Sequence, residues 1–286
     1  MYIVDTNVVY YLGDPDRAPA ARIARLEGRA ADGHLQLAYT PITAIELVTR
    51  IHEDPSAFTQ VNRGVKSFMQ LKPKHLCNPD QRVQEIIRDF AQPHRTTAMW
   101  HRIMTEIERA TEPSDVSSVK LKAVSLRKRY EKHHTESMMR YLEAWDPDCH
   151  NKLARGKSIR LTKDKQYKLE AFIGSDWWQR RFIEQTAASA GEQLPSDPVR
   201  LATIGKKLAY YRNGWELLMV AMAKQGLVPS AKHKNDRNDL YLLLYLTPYD
   251  GNILVTSEKR RILGRFAKKF PDKCIDFDAF LDKEAV

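Results

Sequence analysis

The chain has 286 residues, of which 43% are hydrophobic and 29% are charged. This composition can build a buried core and excludes a chain that is disordered throughout. No stretch of about 18 uncharged apolar residues occurs, so we expect no transmembrane helix. The N-terminal residues lack the basic start of a secretory signal peptide. Three widely spaced cysteines form neither a disulfide framework nor a CxxC metal motif, which favours a reducing cytoplasmic compartment.

The net charge of +10 is concentrated in the middle of the chain. Residues 60–230 carry 30 Lys and Arg against 19 Asp and Glu, whereas the two ends together are nearly neutral. A basic segment beside a neutral one indicates a polyanionic partner, and nucleic acid is the first candidate. The alternative is a helical region whose lysines and arginines are simply solvated.

Short apolar runs of strand-forming residues lie near both ends of the chain. They predict strands at residues 2–4, 35–39, 253–256 and 274–277. Helical patterns alternate with these runs, which predicts an α/β fold with a central parallel sheet. The middle of the chain is predicted to be mostly helical. We therefore divide the chain into a core of residues 1–80 and 225–286 and a basic helical insertion of residues 81–224.

Acidic residues follow the predicted strands. Asp5 comes directly after the first of them, Ser257 and Glu258 lie just beyond the strand at 253–256, and Glu46 lies early in a predicted helix. Asp239 opens an apolar helix, with Asp236 three residues before it. Because ligands of open parallel sheets bind beyond the carboxyl ends of the strands, we expect these acids at one edge. Clustered carboxylates repel one another, and oxygen ligands prefer hard cations, which predicts a Mg²⁺ or Mn²⁺ centre.

Each of these acids also has a purely structural interpretation. Asp5 and Asp239 suit helix N-caps, and Asp236 suits a surface ion pair. Glu46 lies three residues after Thr43, which is the spacing of a capping box. Glu258 precedes a predicted helix and suits compensation of the helix dipole.

Four segments, taken in order, resemble the motifs of PIN-domain nucleases. They are IVDTN at 3–7, TPITAIEL at 40–47, NDL at 238–240 and LVTSE at 254–258. The resemblance implies a Rossmann-like α/β/α sandwich and cleavage of RNA that depends on Mg²⁺ or Mn²⁺ and leaves 5′-phosphate and 3′-hydroxyl ends. It covers roughly the two ends of the chain and leaves the helical middle outside.

The resemblance implies catalytic roles for four acids, and three of them are metal ligands. The catalytic set is Asp5, Glu46, Asp239 and Glu258, and the ligands are the first three together with Asp236 as a substitute. Supporting roles fall to three further residues, which are Asn7, Thr256 and Ser257. The chain departs from the family pattern at Glu258, where the family usually has Asp.

The helical middle contains basic runs with neighbouring aromatic residues, a mixture that suits phosphate contact and base stacking. The predicted nucleic-acid contacts are Lys120, Lys122, Arg127, Lys128, Arg129, Arg180 and Arg181. The adjacent Trp177 and Trp178 could instead pack in a core. The pair His133 and His134 is interpreted as surface histidines, because no third ligand lies at metal-site spacing.

These observations predict a metal-dependent endoribonuclease acting on RNA, with DNA not excluded. Its setting could be a toxin with a cognate antitoxin or other regulatory protein, a phage-defence effector or an RNA-processing enzyme. One alternative is a nucleic-acid-binding scaffold with a degenerate nuclease site, which the departure at Glu258 suggests. Another is a module whose helical middle builds a homo-oligomer.

Overall fold

A computed structural model describes residues 1–89, 97–225 and 238–285. Its strands are β1 (Tyr2–Val4), β2 (Leu37–Tyr39), β3 (Lys74–His75), β4 (Ile253–Thr256) and β5 (Cys274–Asp276). They form a five-stranded sheet with the strand order β3-β2-β1-β4-β5. All four pairings are parallel. The predicted α/β class with a parallel sheet is therefore confirmed.

Strand β1 occupies the centre of the sheet. Tyr2 is paired with Leu37 on one side and with Ile253 on the other. The chain runs outward from β1 through β2 to β3, and later returns to the opposite side of β1 with β4 and β5. This reversal places a topological switch point between β1 and β4, where the carboxyl ends of strands form the usual ligand crevice.

Helices flank the sheet and make up most of the chain. In the first third they are α1 (Thr6–Leu12), α2 (Ala20–Ala31), α3 (Pro41–Glu53), α4 (Phe58–Gln70) and α5 (Pro79–Arg88). In the middle they are α6 (Thr97–Arg109), α7 (Ser117–Trp145), α8 (Pro147–Ala154), α9 (Lys163–Ile173), α10 (Asp176–Ser189), α11 (Pro198–Lys207) and α12 (Ala209–Gln225). After the 3-10 helix Tyr241–Tyr245, the chain ends with α13 (Ile262–Lys269) and α14 (Phe277–Glu284). Among the described residues, no helix has the length and apolar character needed to cross a bilayer.

The described residues form two compact units. One contains the sheet and comprises residues 1–79, 97–127 and 250–285. The other is helical and comprises residues 80–89, 128–225 and 238–249. These boundaries differ from the predicted interval 81–224, because α6 and the start of α7 group with the sheet. The division into a nuclease core and an insertion stays a prediction.

The sheet unit has an apolar core built by its parallel strands. Ile3, Val4, Leu254 and Val255 are at most 1% exposed, as expected for strands that are covered on both faces. Burying such side chains contributes roughly 1.5–3 kcal/mol each relative to leaving them exposed. The core therefore fixes the strand ends from which the acidic side chains project.

The helical unit has an aromatic core, and one sequence interpretation is wrong here. His134 is fully buried and not a surface histidine. Its ring stacks on Tyr241 with a centroid distance of 4.2 Å and meets Trp215 edge-on at 5.1 Å. A charge pattern on one helix does not reveal such packing, because the partner rings lie about 80 and 107 residues away along the chain. Trp178 is also fully buried, as the core interpretation proposed, whereas Trp177 is 47% exposed.

Candidate metal centre

Asp5 directly follows the central strand and is 1% exposed. Its backbone N–H donates to the carbonyl of Val255 at 3.1 Å, which extends the sheet pairing by one residue. Its carboxylate Oδ2 accepts a hydrogen bond from Thr256 Oγ1 at 3.0 Å. Asp5 occupies the N-cap position of α1 but makes no side-chain cap hydrogen bond. Its carboxylate is therefore hydrogen-bonded to the last residue of β4.

Hydrogen bonds support the charged form of this buried carboxylate. Besides Thr256, the amide Nδ2 of Asn7 donates to Asp5 Oδ2 at 3.3 Å. Burial raises the pKa of Asp5 above its ordinary value, and hydrogen bonds from the side chains of Thr256 and Asn7 and from the backbone of Thr6 and Asn7 oppose that shift. These donors reduce the cost of keeping a negative charge out of water.

Glu46 lies in α3, and its side chain does not cap that helix. Thr40 is the N-cap, and its Oγ1 accepts the backbone N–H of Thr43 at 3.4 Å. Glu46 Oε2 instead accepts a hydrogen bond from Thr6 Oγ1 at 2.6 Å. The capping-box interpretation of Thr43 and Glu46 is therefore wrong, because the helix begins three residues earlier. Thr43 uses its hydroxyl to bond the carbonyl of Val4 at 3.2 Å.

Three acids offer carboxylate oxygens that all lie within 4.8 Å of one another: Asp5, Glu46 and Asp239. Asp5 and Asp239 are buried and Glu46 is half-buried. At an effective dielectric constant of about 20, two full charges at this separation repel by roughly 3 kcal/mol. A cation among the three would remove this repulsion. This buried acidic triad could hold a metal ion, and its all-oxygen donor set suits a hard ion such as Mg²⁺ or Mn²⁺.

Asp239 lies in a helical turn at residues 238–240, just before the 3-10 helix Tyr241–Tyr245. Residues 240–246 are buried throughout, so the predicted apolar helix is a short 3-10 segment inside a core. Asp236, the predicted substitute ligand, lies outside the described residues.

Glu258 has a different environment from the three clustered acids. Its Oε1 accepts the backbone N–H groups of Arg260 at 3.2 Å and Arg261 at 3.0 Å. Its own backbone N–H donates to Thr256 Oγ1 at 3.1 Å. The carboxylate therefore orders the turn before α13, in line with its structural interpretation. Ser257, beside it, is half-buried.

The predicted nucleic-acid contacts have mixed surroundings. Arg127 is buried and forms an ion pair with Glu53 at 3.3 Å. Both Arg180 and Arg181 pair with Glu184, at 3.1 and 2.9 Å. The remaining predicted contacts are the exposed Lys122, Lys128 and Arg129, of which Arg129 pairs with Asp80 at 3.6 Å, and the half-buried Lys120. Four of the predicted contacts, Arg127, Arg129, Arg180 and Arg181, thus have acidic partners that a phosphate would have to replace.

Thr6 has no predicted role, although it is adjacent to Asp5 in the sequence. A local signal existed, because Thr6 is the first residue of α1 and a hydroxyl there lies at the carboxyl end of the central strand. Its acceptor Glu46 is 40 residues away, so only the fold identifies the partner.

Comparisons with protein-family models, curated proteins and solved structures find no match to this chain. The likeness to PIN-domain nucleases therefore stays a prediction that is based on residues and their order.

Proposed function

We propose that this chain is a divalent-metal-dependent ribonuclease that hydrolyses phosphodiester bonds at the triad Asp5, Glu46 and Asp239. The observation that carries this proposal is the closeness of the three acids. One carboxylate oxygen from each lies within 4.8 Å of the other two, and the side chains of Asp5 and Asp239 are buried. The position of Asp5 at the switch point of the sheet supports it, because ligands bind at such points. The net charge of +10 supports a polyanionic substrate.

In this proposal the acids of the site bind the metal ion, and two threonines orient the acids. Asp5, Glu46 and Asp239 hold Mg²⁺ or Mn²⁺. When bound, the ion would lower the pKa of a water molecule and neutralise charge on the scissile phosphate. Thr256 holds the Asp5 carboxylate in place, and Thr6 does the same for Glu46.

The test is cleavage of an end-labelled single-stranded RNA in Mn²⁺, in Mg²⁺ and in EDTA. We expect cleavage only with a metal ion, and loss of activity to background in Asp5→Asn. The matched control is Asp16→Asn, since Asp16 is an exposed acid of the same unit and its loss should leave cleavage unchanged. Cleavage that persists in Asp5→Asn or in EDTA would refute the proposal.

A second candidate function is a nucleic-acid-binding scaffold without catalysis. The hydrogen bonds of Glu258 favour this function. The Glu258 carboxylate accepts backbone N–H groups of its own turn, and it is not among the three clustered acids. The scaffold predicts RNA binding that weakens with salt and is unchanged by EDTA. Titration calorimetry with Mn²⁺ separates the two functions, because only the nuclease requires a metal site that Asp5→Asn destroys.

A further inference from the structure

Three consecutive cations follow the strand whose end contacts Asp5. We call Lys259, Arg260 and Arg261 the basic loop. It begins three residues after Thr256, the last residue of β4. Because consecutive Cα atoms are about 3.8 Å apart, Lys259 lies at most roughly 11 Å from Thr256 along the chain. Any phosphate that this loop binds is therefore close to the carboxyl end of β4.

Hydrogen bonds connect the basic loop to Asp5 through two residues. Thr256 Oγ1 donates to Asp5 and accepts the backbone N–H of Glu258. Glu258 in turn accepts the backbone N–H groups of Arg260 and Arg261. The backbone of the loop is thus fixed relative to the carboxylate.

Close packing against α13 also restrains the backbone of the basic loop. A Cβ atom on Gly264 of α13 would lie 2.5 Å from the carbonyl oxygen of Glu258 and 2.5 Å from the carbonyl carbon of Lys259. Both neighbours are backbone atoms, so only glycine permits this approach. The loop is therefore pre-organised, which reduces the ordering cost of binding a ligand.

The side chains of the basic loop point to solvent while its backbone is held. Lys259 and Arg260 are exposed, and neither forms an ion pair with the described residues. Arg261 is 55% exposed, and its Nε lies 3.9 Å from Glu258 Oε2, near the limit for an ion pair. This arrangement contrasts with that of Arg180 and Arg181, which both pair with Glu184.

We propose that the basic loop binds the phosphate backbone of single-stranded RNA beside the acidic triad. This inference rests on the proposed function and adds the element that positions the substrate. A cluster of carboxylates repels a polyanion, and fixed cations at the same strand end offset that repulsion. Glu258 is then a positioning residue, because its carboxylate holds the backbone of the basic loop and does not bind the metal ion.

The test measures RNA binding without cleavage. Fluorescence anisotropy with a labelled single-stranded RNA is recorded in EDTA at several salt concentrations, for the wild type and for the double variant Lys259→Ala, Arg260→Ala. The loss of two phosphate contacts should reduce the slope of log Kd against log salt by about 1.4. The control Arg17→Ala, Arg22→Ala removes two cations of the same unit that pair with Asp278 and Asp282, and it should leave the slope unchanged.

A slope that stays the same in the loop variant, with circular dichroism confirming that the variant is folded, would overturn the inference. Mn²⁺ calorimetry on the same variant distinguishes this failure from that of the proposed function. Normal Mn²⁺ binding with an unchanged salt slope refutes the loop alone. A reduced salt slope in a chain that binds no Mn²⁺ refutes the nuclease and leaves the loop as an RNA contact.

Discussion

Glu46 and Glu258 are both predicted catalytic acids, but their carboxylates have different hydrogen-bond partners. Glu46 accepts the hydroxyl of Thr6 and joins the acidic triad. Glu258 accepts two backbone N–H groups of its own turn. A carboxylate that is satisfied by local backbone donors gains less from a cation than one held among like charges. At the scale of single residues, the hydrogen-bond partner therefore distinguishes the acid that joins the triad from the one that orders its own turn.

The hydroxyl of Thr6 should matter for metal affinity. We expect Thr6→Val to weaken Mn²⁺ binding by roughly 10–100-fold, because partners that orient a ligand typically contribute that much. Thr6→Ser keeps the donor and should bind nearly as well as the wild type. Titration calorimetry gives both affinities, and equal Mn²⁺ affinity in the Val variant would show that Thr6 does not orient Glu46.

A second residue-scale prediction concerns pH. Asp146 caps α8, and Lys165 Nζ donates to its carboxylate at 2.6 Å. This hydrogen bond lowers the pKa of Asp146 from 3.8 to about 2, against the opposing effect of burial. The ion pair therefore stabilises the fold fully above about pH 4, and this contribution is lost as the pH falls toward 2.

We expect Asp146→Asn to lower the free energy of unfolding by about 1 kcal/mol at pH 7, since solvent screens the partly exposed Lys165. Asn retains the ability to cap α8, so the change isolates the charge. The difference from the wild type in urea unfolding should shrink below pH 4. The exposed pair of Asp164 and Lys168 provides the control, and Asp164→Asn should change stability by less than about 0.5 kcal/mol.

At the scale of elements, helices α1 and α4 approach each other through two glycines. A Cβ atom on Gly64 would lie 2.1 Å from the carbonyl oxygen of Val9, and one on Gly13 would lie 2.2 Å from that of Gln60. Such contacts allow the two backbones to touch directly. Because α1 follows Asp5, this packing also holds the segment that carries the first acid of the triad.

Two Gly→Ala substitutions should have opposite effects. Alanine normally stabilises a helix interior by about 1 kcal/mol relative to glycine, and Gly28→Ala should show this gain because nothing lies within 4 Å of its Cβ position. Gly64→Ala should instead lower stability by about 1–3 kcal/mol, because backbone atoms must move to admit the methyl group. Thermal unfolding measures both, and a stabilised Gly64→Ala variant would contradict the close approach.

At the scale of the whole molecule, excess positive charge coexists with a buried acidic cluster. The net charge is +10, and several of the cations predicted to contact nucleic acid already have acidic partners. Charge totals therefore indicate a class of partner but not the residues that bind it. Like charges held together without a cation also reduce the stability of the native state.

Metal binding should consequently stabilise the whole protein. A ligand that binds only the native state adds about 2.7 kcal/mol at a concentration of 100 times its Kd, so we expect Mn²⁺ to raise the Tm by several degrees. Asp5→Asn removes one buried charge and should abolish the increase. Differential scanning calorimetry with and without Mn²⁺ tests this, and an equal shift in the variant would place metal binding elsewhere.

Much of the sheet was predictable because its strands have a local signature. Tyr2–Val4 and Ile253–Thr256 match the predicted bounds, since uninterrupted β-branched and apolar residues suit a strand buried on both faces. Lys74–His75 was missed, because two exposed polar residues carry no such pattern. The middle of the chain was predicted only as mostly helical, because periodicity does not show breaks such as the one at Leu208 between α11 and α12.

The amino-acid sequence by itself determined where four of the five strands form and that an acid follows β1 and β4, because these properties depend on neighbouring residues. Only the tertiary structure decided which side chains meet. It paired Glu46 with Thr6, buried His134 against Tyr241 and turned Glu258 toward its own backbone. The first two contacts join residues that are 40 and 107 positions apart, and such pairings follow from packing of the whole chain and not from local propensity.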